Sequence, residues 1–133
     1  MPSLAPAVGR AATPDRPLEE AAVVAKAVAR AADRLGLTNR ELAGILGLSE
    51  ASVSRLRRGA FAPERDSKAF ELAVLFVRLF RALDAVVGGD EAVARAWLKN
   101  PNTALEAVPL ERMARITGLL DVLAYLDSRR ALL

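Results

Sequence analysis

The chain has 133 residues, enough for one domain or two small ones with modest cores. Hydrophobic residues make up 53% but aromatics only 5%, so a core must come from Ala, Leu and Val, as in helical bundles. The formal charge of +3 permits nucleic-acid binding without establishing it; the lack of Cys and His excludes disulfides and thiolate chemistry and argues against zinc, haem and Cys/His nucleophile sites.

Residues 1–17 carry four of the seven prolines among Ala, Ser and Gly and read as a flexible tail. They lack the basic start and apolar stretch of a secretory leader. Pro17 stands where a helix can begin, because its missing N–H costs nothing in a first turn. The helix expected over Leu18–Leu35 has Glu19 and Glu20 early and Arg30 and Arg34 late, an order that suits its dipole, and Gly36 closes it. Two short helices follow, Asn39–Leu46 and Glu50–Arg58, with Thr38 and Ser49 as N-caps and Gly47 in the turn. Gly59 and Pro63 end this region, and Ser67 caps a long helix reaching Val87, stopped by Gly88-Gly89. Asp90 caps a helix to Leu98, which Asn100-Pro101-Asn102 breaks. Pro109 begins another helical stretch, and Thr117-Gly118 is expected to separate it from a last helix running to about Arg130. No alternating β-branched run is long enough for a strand, so the fold class is all-α. Its apolar runs, such as "LAVLFV" at 72–77, are far short of the about 18 residues that span a bilayer. A cytoplasmic protein without a membrane partner is the expectation.

Charge divides unevenly. Residues 37–68 hold six basic and four acidic side chains, whereas residues 69–133 hold eight of each. The middle third also carries the most specific pattern, "TNRELAGILGLSEASVSRLRRG". Leu42 and Leu46 share one face of the first short helix, and Val53 and Leu56 share one face of the second. Ala43 lets the helices cross closely and Gly47 permits a tight αL turn. The segment resembles the helix-turn-helix of the Xre/Cro repressor family. With Val53 and Leu56 buried, the second helix exposes Ser49, Glu50, Ala51, Ser54, Arg55 and Arg58 toward a major groove. Ser49 and the amides after it suit a phosphate, and Arg55 suits a bidentate contact to guanine. Arg57, Arg58 and, from the first helix, Arg40 are candidates for neutralising the backbone. One departure stands out: the family often has glutamine where this chain has Asn39, and the shorter amide weakens a phosphate contact there.

The second half is more apolar than a small bundle needs. Helix 67–87 carries Phe70, Ala73, Val77 and Phe80 on one stripe and Leu72, Leu75, Phe76, Leu79, Leu83 and Val86 on another. A helix apolar around most of its circumference must be covered on several sides, so a partner or a second copy is expected to meet part of this surface. Trp97 lies on a short amphipathic helix four residues after Val93 and is expected to pack into the core against Leu105 or Leu110. Asn100 and Asn102 suit the turn at Pro101, since their side chains replace lost backbone bonds.

From Trp97 onward the sequence resembles the C-terminal toxin-binding domain of the Xre/MbcA/ParS antitoxin family. The matching positions are Trp97-Leu98, Pro101-Asn102, Leu105, Pro109-Leu110, Gly118, Val122 and Tyr125-Leu126-Asp127. After Leu105 many members have glycines and this chain has Glu106-Ala107. The resemblance implies three parts: a tail over 1–17, a helix-turn-helix DNA-binding domain over 18–66, and a helical toxin-binding or dimerising domain over 67–133. It implies an antitoxin whose partner is a RES-domain toxin that degrades NAD, with the operon's operator DNA as second ligand, in a homodimer or a larger assembly with the toxin. Trp97, Pro101, Asn102 and Pro109 are then architectural anchors. Tyr125, Arg129, Arg130, Leu132 and Leu133, at the end of the last helix, are the candidate toxin contacts, the arginines standing where a dinucleotide's phosphates would bind.

Two other classes fit the same residues. One is a repressor whose C-terminal half only dimerises; the other is an oligomeric adaptor with a decayed helix-turn-helix. An enzyme does not fit. No nucleophile–base pair is available, no phosphate-cradling glycine loop follows a strand, and Asp90/Glu91 read as a cap and a first-turn charge, so neither a metal nor a cofactor is expected.

Overall fold

The computed structural model describes residues 4–133, with side chains from Arg16 onward. Seven helices follow in order among the described residues: α1 (Leu4–Leu35), α2 (Asn39–Leu46), α3 (Glu50–Arg57), α4 (Lys68–Val86), α5 (Glu91–Lys99), α6 (Pro109–Arg112) and α7 (Ile116–Arg130). No strand forms among them; Asn102 and Ala107 make one isolated antiparallel bridge. The all-α expectation holds.

Local signals set most boundaries. Thr38 and Glu41 form a reciprocal capping box at the start of α2, with the Glu41 amide donating to Thr38 Oγ1 at 3.0 Å and the Thr38 amide to Glu41 Oε1 at 2.9 Å. Ser49, Ser67 and Asp90 each accept a backbone N–H three residues on, opening α3, α4 and α5. Gly47 turns between α2 and α3 at φ 67, a left-handed conformation that costs a residue with a Cβ roughly 1–2 kcal/mol.

Two boundaries differ from expectation. The first helix is continuous from Leu4 through the proline-rich stretch instead of starting near Leu18. Pro6 falls in its first turn, where a missing N–H costs nothing, while Pro14 and Pro17 stand inside the helix. Residues 1–3 of the expected tail lie outside the described residues. The last helix starts at Ile116, so Thr117-Gly118 lie inside its first turn. Gly118 is needed for proximity and breaks nothing: a Cβ there would sit 2.0 Å from the Arg112 carbonyl oxygen. Only a glycine lets the end of α6 cross α7 this closely.

One continuous core runs through the bundle. Leu42, Leu46, Val53 and Leu56 of the helix-turn-helix pack into it together with Phe76, Leu79 and Leu83 of α4 and Leu119, Val122 and Leu126 of α7. The long apolar helix α4 is the shared centre. It packs most extensively on α7 and then on α1 and α2. Much of its apolar circumference is therefore covered within a single chain, while Phe70, Leu72, Leu75, Val77, Phe80 and Val86 stay half-buried. The expected boundary at residues 66–67 falls just before this helix, which touches both sides.

Candidate nucleic-acid interface and partner-binding surface

The C-terminal turn of α1 is where both halves are fastened. Arg57, on α3, donates from Nη1 to the Leu37 carbonyl at 2.9 Å and to Asn39 Oδ1 at 3.2 Å, and its Nη2 pairs with Asp33. From the other side Arg95, on α5, donates to the carbonyls of Arg34 at 2.9 Å and Asp33 at 3.1 Å. The last carbonyls of a helix have no partners within it, and here Arg95 donates to two of them, while Arg57 engages the Asp33 carboxylate and the Leu37 carbonyl just past the helix. Arg34 meanwhile reaches Asp84 on α4 at 3.5 Å and Glu91 on α5 at 3.2 Å.

This changes the reading of Arg57. Its side chain is only 22% exposed, and its guanidinium holds α3 against the end of α1, so it does not project from α3 as a spare cation. Asn39 takes part in the same latch. Its short amide serves here as an internal acceptor. Asp33 was the missed residue: it lies 24 positions before Arg57, and no local spacing links them.

The rest of α3 presents the expected face. Val53 and Leu56 are buried, Ser49, Glu50, Ala51, Arg55 and Arg58 are exposed, and Ser54 is half-buried. Arg55 is steadied from both ends, with Nη2 donating to Ser52 Oγ at 3.1 Å and the guanidinium lying 6.0 Å from the centre of the Phe61 ring. Arg40 and Arg58 are exposed and make no side-chain hydrogen bond or ion pair among the described residues. The Ser49 hydroxyl already accepts from the Ser52 amide at 3.0 Å and donates to Ser52 Oγ, so as a cap it has little left for a phosphate. A cationic face of Arg40, Arg55 and Arg58 thus surrounds a short helix whose first turn carries one acid, Glu50.

The second surface lies on α5 and α7. Trp97 is half-buried and packs against the core cluster that includes Leu105; its ring also stacks on Tyr125 with centroids 6.2 Å apart and planes 13° off parallel. Arg129 continues the stack, with its guanidinium 5.9 Å from the Tyr125 ring centre and Nη1 donating to the Tyr125 hydroxyl at 3.0 Å. The corner before it is built as expected. Asn100 Nδ2 donates to the Ala96 carbonyl at 2.7 Å, Asn102 Oδ1 accepts from the Leu105 amide at 3.0 Å, and Pro109 is buried at the first position of α6. Pro101 is exposed at the turn. Glu106 stands at φ 55, the left-handed region that favours glycine. Beyond Tyr125 the chain ends in exposed Arg130, Leu132 at 81% and Leu133 at 77% exposure. Arg130, unlike Arg129, has no side-chain partner among the described residues. Ile116 and Leu120 add an exposed apolar stripe on α7.

Among the described residues no cluster of acidic side chains could hold a metal ion, and no helix is long and apolar enough to cross a membrane.

Comparison with known proteins bears on both surfaces. Residues 16–78 match the antitoxin Xre-like helix-turn-helix domain. Residues 82–131 match the antitoxin Xre/MbcA/ParS C-terminal toxin-binding domain. Among curated proteins, the mycobacterial cidal antitoxin MbcA of Mycobacterium bovis is 33% identical over 106 residues, covering 80% of this chain and 90% of the relative. MbcA of Mycobacterium tuberculosis matches at the same identity and coverage.

Proposed function

The chain belongs to the Xre/MbcA/ParS antitoxin family, and we propose that it is the antitoxin of a two-gene module that masks a RES-domain, NAD-degrading toxin and binds the operator of its own operon. One observation carries the reading: a helix-turn-helix unit and a toxin-binding unit follow each other in one chain, and each presents a surface suited to its ligand. Residues 18–66 supply the DNA contact. Arg55 reads a base, and Arg40 and Arg58 neutralise phosphates. Residues 67–133 supply the toxin contact. The stack of Trp97, Tyr125 and Arg129 combines the side-chain types most often found at the energetic centre of interfaces, and its arginine is already ordered before binding. Arg130 with Leu132 and Leu133 forms a projecting tip, cationic and apolar together, that enters the toxin's dinucleotide pocket. The protein acts by binding alone, in the cytoplasm, as a homodimer or within a larger assembly with its toxin; NAD chemistry belongs to the partner.

Co-expression of the full chain with the neighbouring reading frame tests this. The expected result is that growth arrested by the toxin is restored and the two proteins co-purify. Truncation after Asp127 should abolish inhibition more than binding. An adjacent gene product that is not toxic, or a toxin that the full chain neither binds nor silences, overturns the reading.

A further inference from the structure

A cationic depression lies outside every contact assigned so far. About 620 Å3 in volume, it sits where the turn after α3 meets the middle of α1. Ala25, Ala29 and Leu56 line it with apolar surface, and Lys26 and Arg58 line it with charge. Both cations are exposed, and neither side chain makes a hydrogen bond or ion pair among the described residues. Arg57 lines it as well, but its guanidinium is committed to Leu37, Asn39 and Asp33. No acidic side chain among the described residues lines the depression. One turn along α1 from Lys26, Arg30 is also exposed. Like charges four apart on a helix repel, so α1 carries this pair at a cost that a nearby anion relieves. The backbone here offers an anion nothing. The Gly59 amide already donates to the Leu56 carbonyl at 3.0 Å and the Ala60 amide to the Arg55 carbonyl at 2.8 Å. α3 also ends here, and a helix C-terminus is partly negative. An anion in the depression is therefore held by side chains, and the two uncommitted ones are Lys26 and Arg58.

We propose that this depression seats one sugar–phosphate unit of DNA, with Lys26 and Arg58 on the phosphate and the apolar lining against the sugar carbons. The inference rests on the DNA-binding reading above and extends its contact from the helix-turn-helix onto α1. Arg58 closes the outward face of α3, so the depression opens beside the helix that enters a major groove, and the strand bordering that groove supplies the anion. A nucleotide unit uses both linings, a cation for its phosphate and apolar surface for its sugar. An acidic segment of the toxin uses only the first. The depression also lies inside the matched helix-turn-helix unit at 16–78 and outside the toxin-binding unit at 82–131. Contacts to the sugar–phosphate chain fix register and orientation without reading sequence, so Lys26 positions α3 and selects no base.

The test uses the full chain and two labelled duplexes of equal length, one from the region upstream of its own gene and one of unrelated sequence. Both are titrated at salt concentrations from roughly 50 to 200 mM. Lys26→Ala is expected to weaken binding to both and to reduce the salt slope by about 0.9, so its deficit against wild type shrinks about three- to fourfold across that range. Lys26→Arg should keep the slope. Because Lys26 is exposed, Lys26→Ala should leave the helical circular dichroism unchanged. Ethylation interference on the upstream duplex gives the second readout. One phosphate whose ethylation weakens the wild-type complex should matter less in both Lys26→Ala and Arg58→Ala, since both cations hold it. A wild-type protein that binds neither duplex overturns the DNA reading itself. Lys26→Ala with an unchanged slope and ethylation pattern, beside an Arg58→Ala that lowers the slope, overturns the α1 contact alone. Slopes that fall for both variants but on different phosphates overturn the shared seat. So does a Lys26→Ala protein that binds DNA as wild type but no longer co-purifies with the toxin, which would make an acidic segment of the toxin the occupant.

Discussion

α3 and α7 each finish on two consecutive arginines, Arg57-Arg58 and Arg129-Arg130. In both pairs the first arginine is tied to the protein and the second projects into solvent. The ties differ in kind. Arg57 reaches across to another helix and meets a carboxylate, a backbone carbonyl and an amide oxygen. Arg129 reaches one turn back along its own helix to a neutral hydroxyl and its ring. The same dipeptide therefore fixes the orientation of one helix and only the orientation of itself in the other. What holds α7 in place is instead its packing on α4, the close approach at Gly118 and the ion pair of Arg112 with Asp121. One surface is oriented by an arginine of its own recognition helix, the other by elements around its helix.

The contrast is sharpest where the close approach is removed. Gly118→Ala puts a methyl group against the Arg112 carbonyl, which cannot move without displacing α6, so it should cost about 3 kcal/mol or more of stability. A fall in the urea midpoint, with toxin co-purification lost alongside it, is the expected outcome; an unchanged midpoint would mean that the α6–α7 crossing tolerates a side chain.

Cutting the polar latch comes next. Arg57→Ala leaves Asp33 and two carbonyl or amide acceptors without their donor and should cost about 1.5–3 kcal/mol. Operator affinity should fall for every sequence, with the salt slope unchanged, because the Arg57 guanidinium is already engaged within the protein. Arg57→Lys should recover only part of the loss, since one ammonium cannot serve acceptors that a planar fork reaches together. If Arg57→Ala were to lower the salt slope as Arg58→Ala does, the latch would not be its main role.

The projecting partner behaves oppositely. Arg58→Ala should leave stability within about 0.5 kcal/mol, weaken all DNA sites alike and reduce the salt slope by roughly 1, as read in gel-shift titrations at several salt concentrations. Arg55→Ala should cost about 1–3 kcal/mol at one base position and relax specificity there. On α7 the matching experiment is milder: Arg129→Ala should change stability by no more than about 0.5 kcal/mol while weakening toxin binding, measured by calorimetry.

A further effect, this one stabilising, concerns the loop between α5 and α6. Glu106 holds a left-handed conformation that costs a non-glycine residue roughly 1–2 kcal/mol, against the roughly 0.5–1 kcal/mol of chain entropy a glycine loses on folding. Glu106→Gly should therefore stabilise by only a few tenths to about 1 kcal/mol in urea unfolding. A loss of stability would show that the Glu106 side chain makes a compensating contact.

The helix-turn-helix was legible because its signals are local. Thr38 and Glu41 lie three residues apart, Gly47 occupies the one turn that needs it, and the spacing of Val53 and Leu56 fixes which face of α3 is outward. The latch was not, because Asp33 and Arg57 meet only after α1 and α3 have packed. Trp97 was legible as an anchor but not as a surface, since its partner Tyr125 comes from a distant helix and leaves it half-buried. Gly118 carried a misleading signal. A glycine beside threonine marks a break when only chain-local conformation is weighed, and its reason here is the neighbouring carbonyl.

The shared helix α4 has a consequence for how such proteins can diversify. Its α1–α2 side closes the helix-turn-helix unit and its α7 side closes the unit matched as a toxin-binding domain. A recombination event that exchanges the reader for one of a different operator would therefore hand the incoming helices a foreign α4, or hand the outgoing α7 one. Either product must repack a core built around Phe76, Leu79 and Leu83. Changes of operator in this lineage should then arise by point substitutions on the exposed face of α3, at positions such as Glu50, Ala51 and Arg55, and rarely by exchange of whole halves.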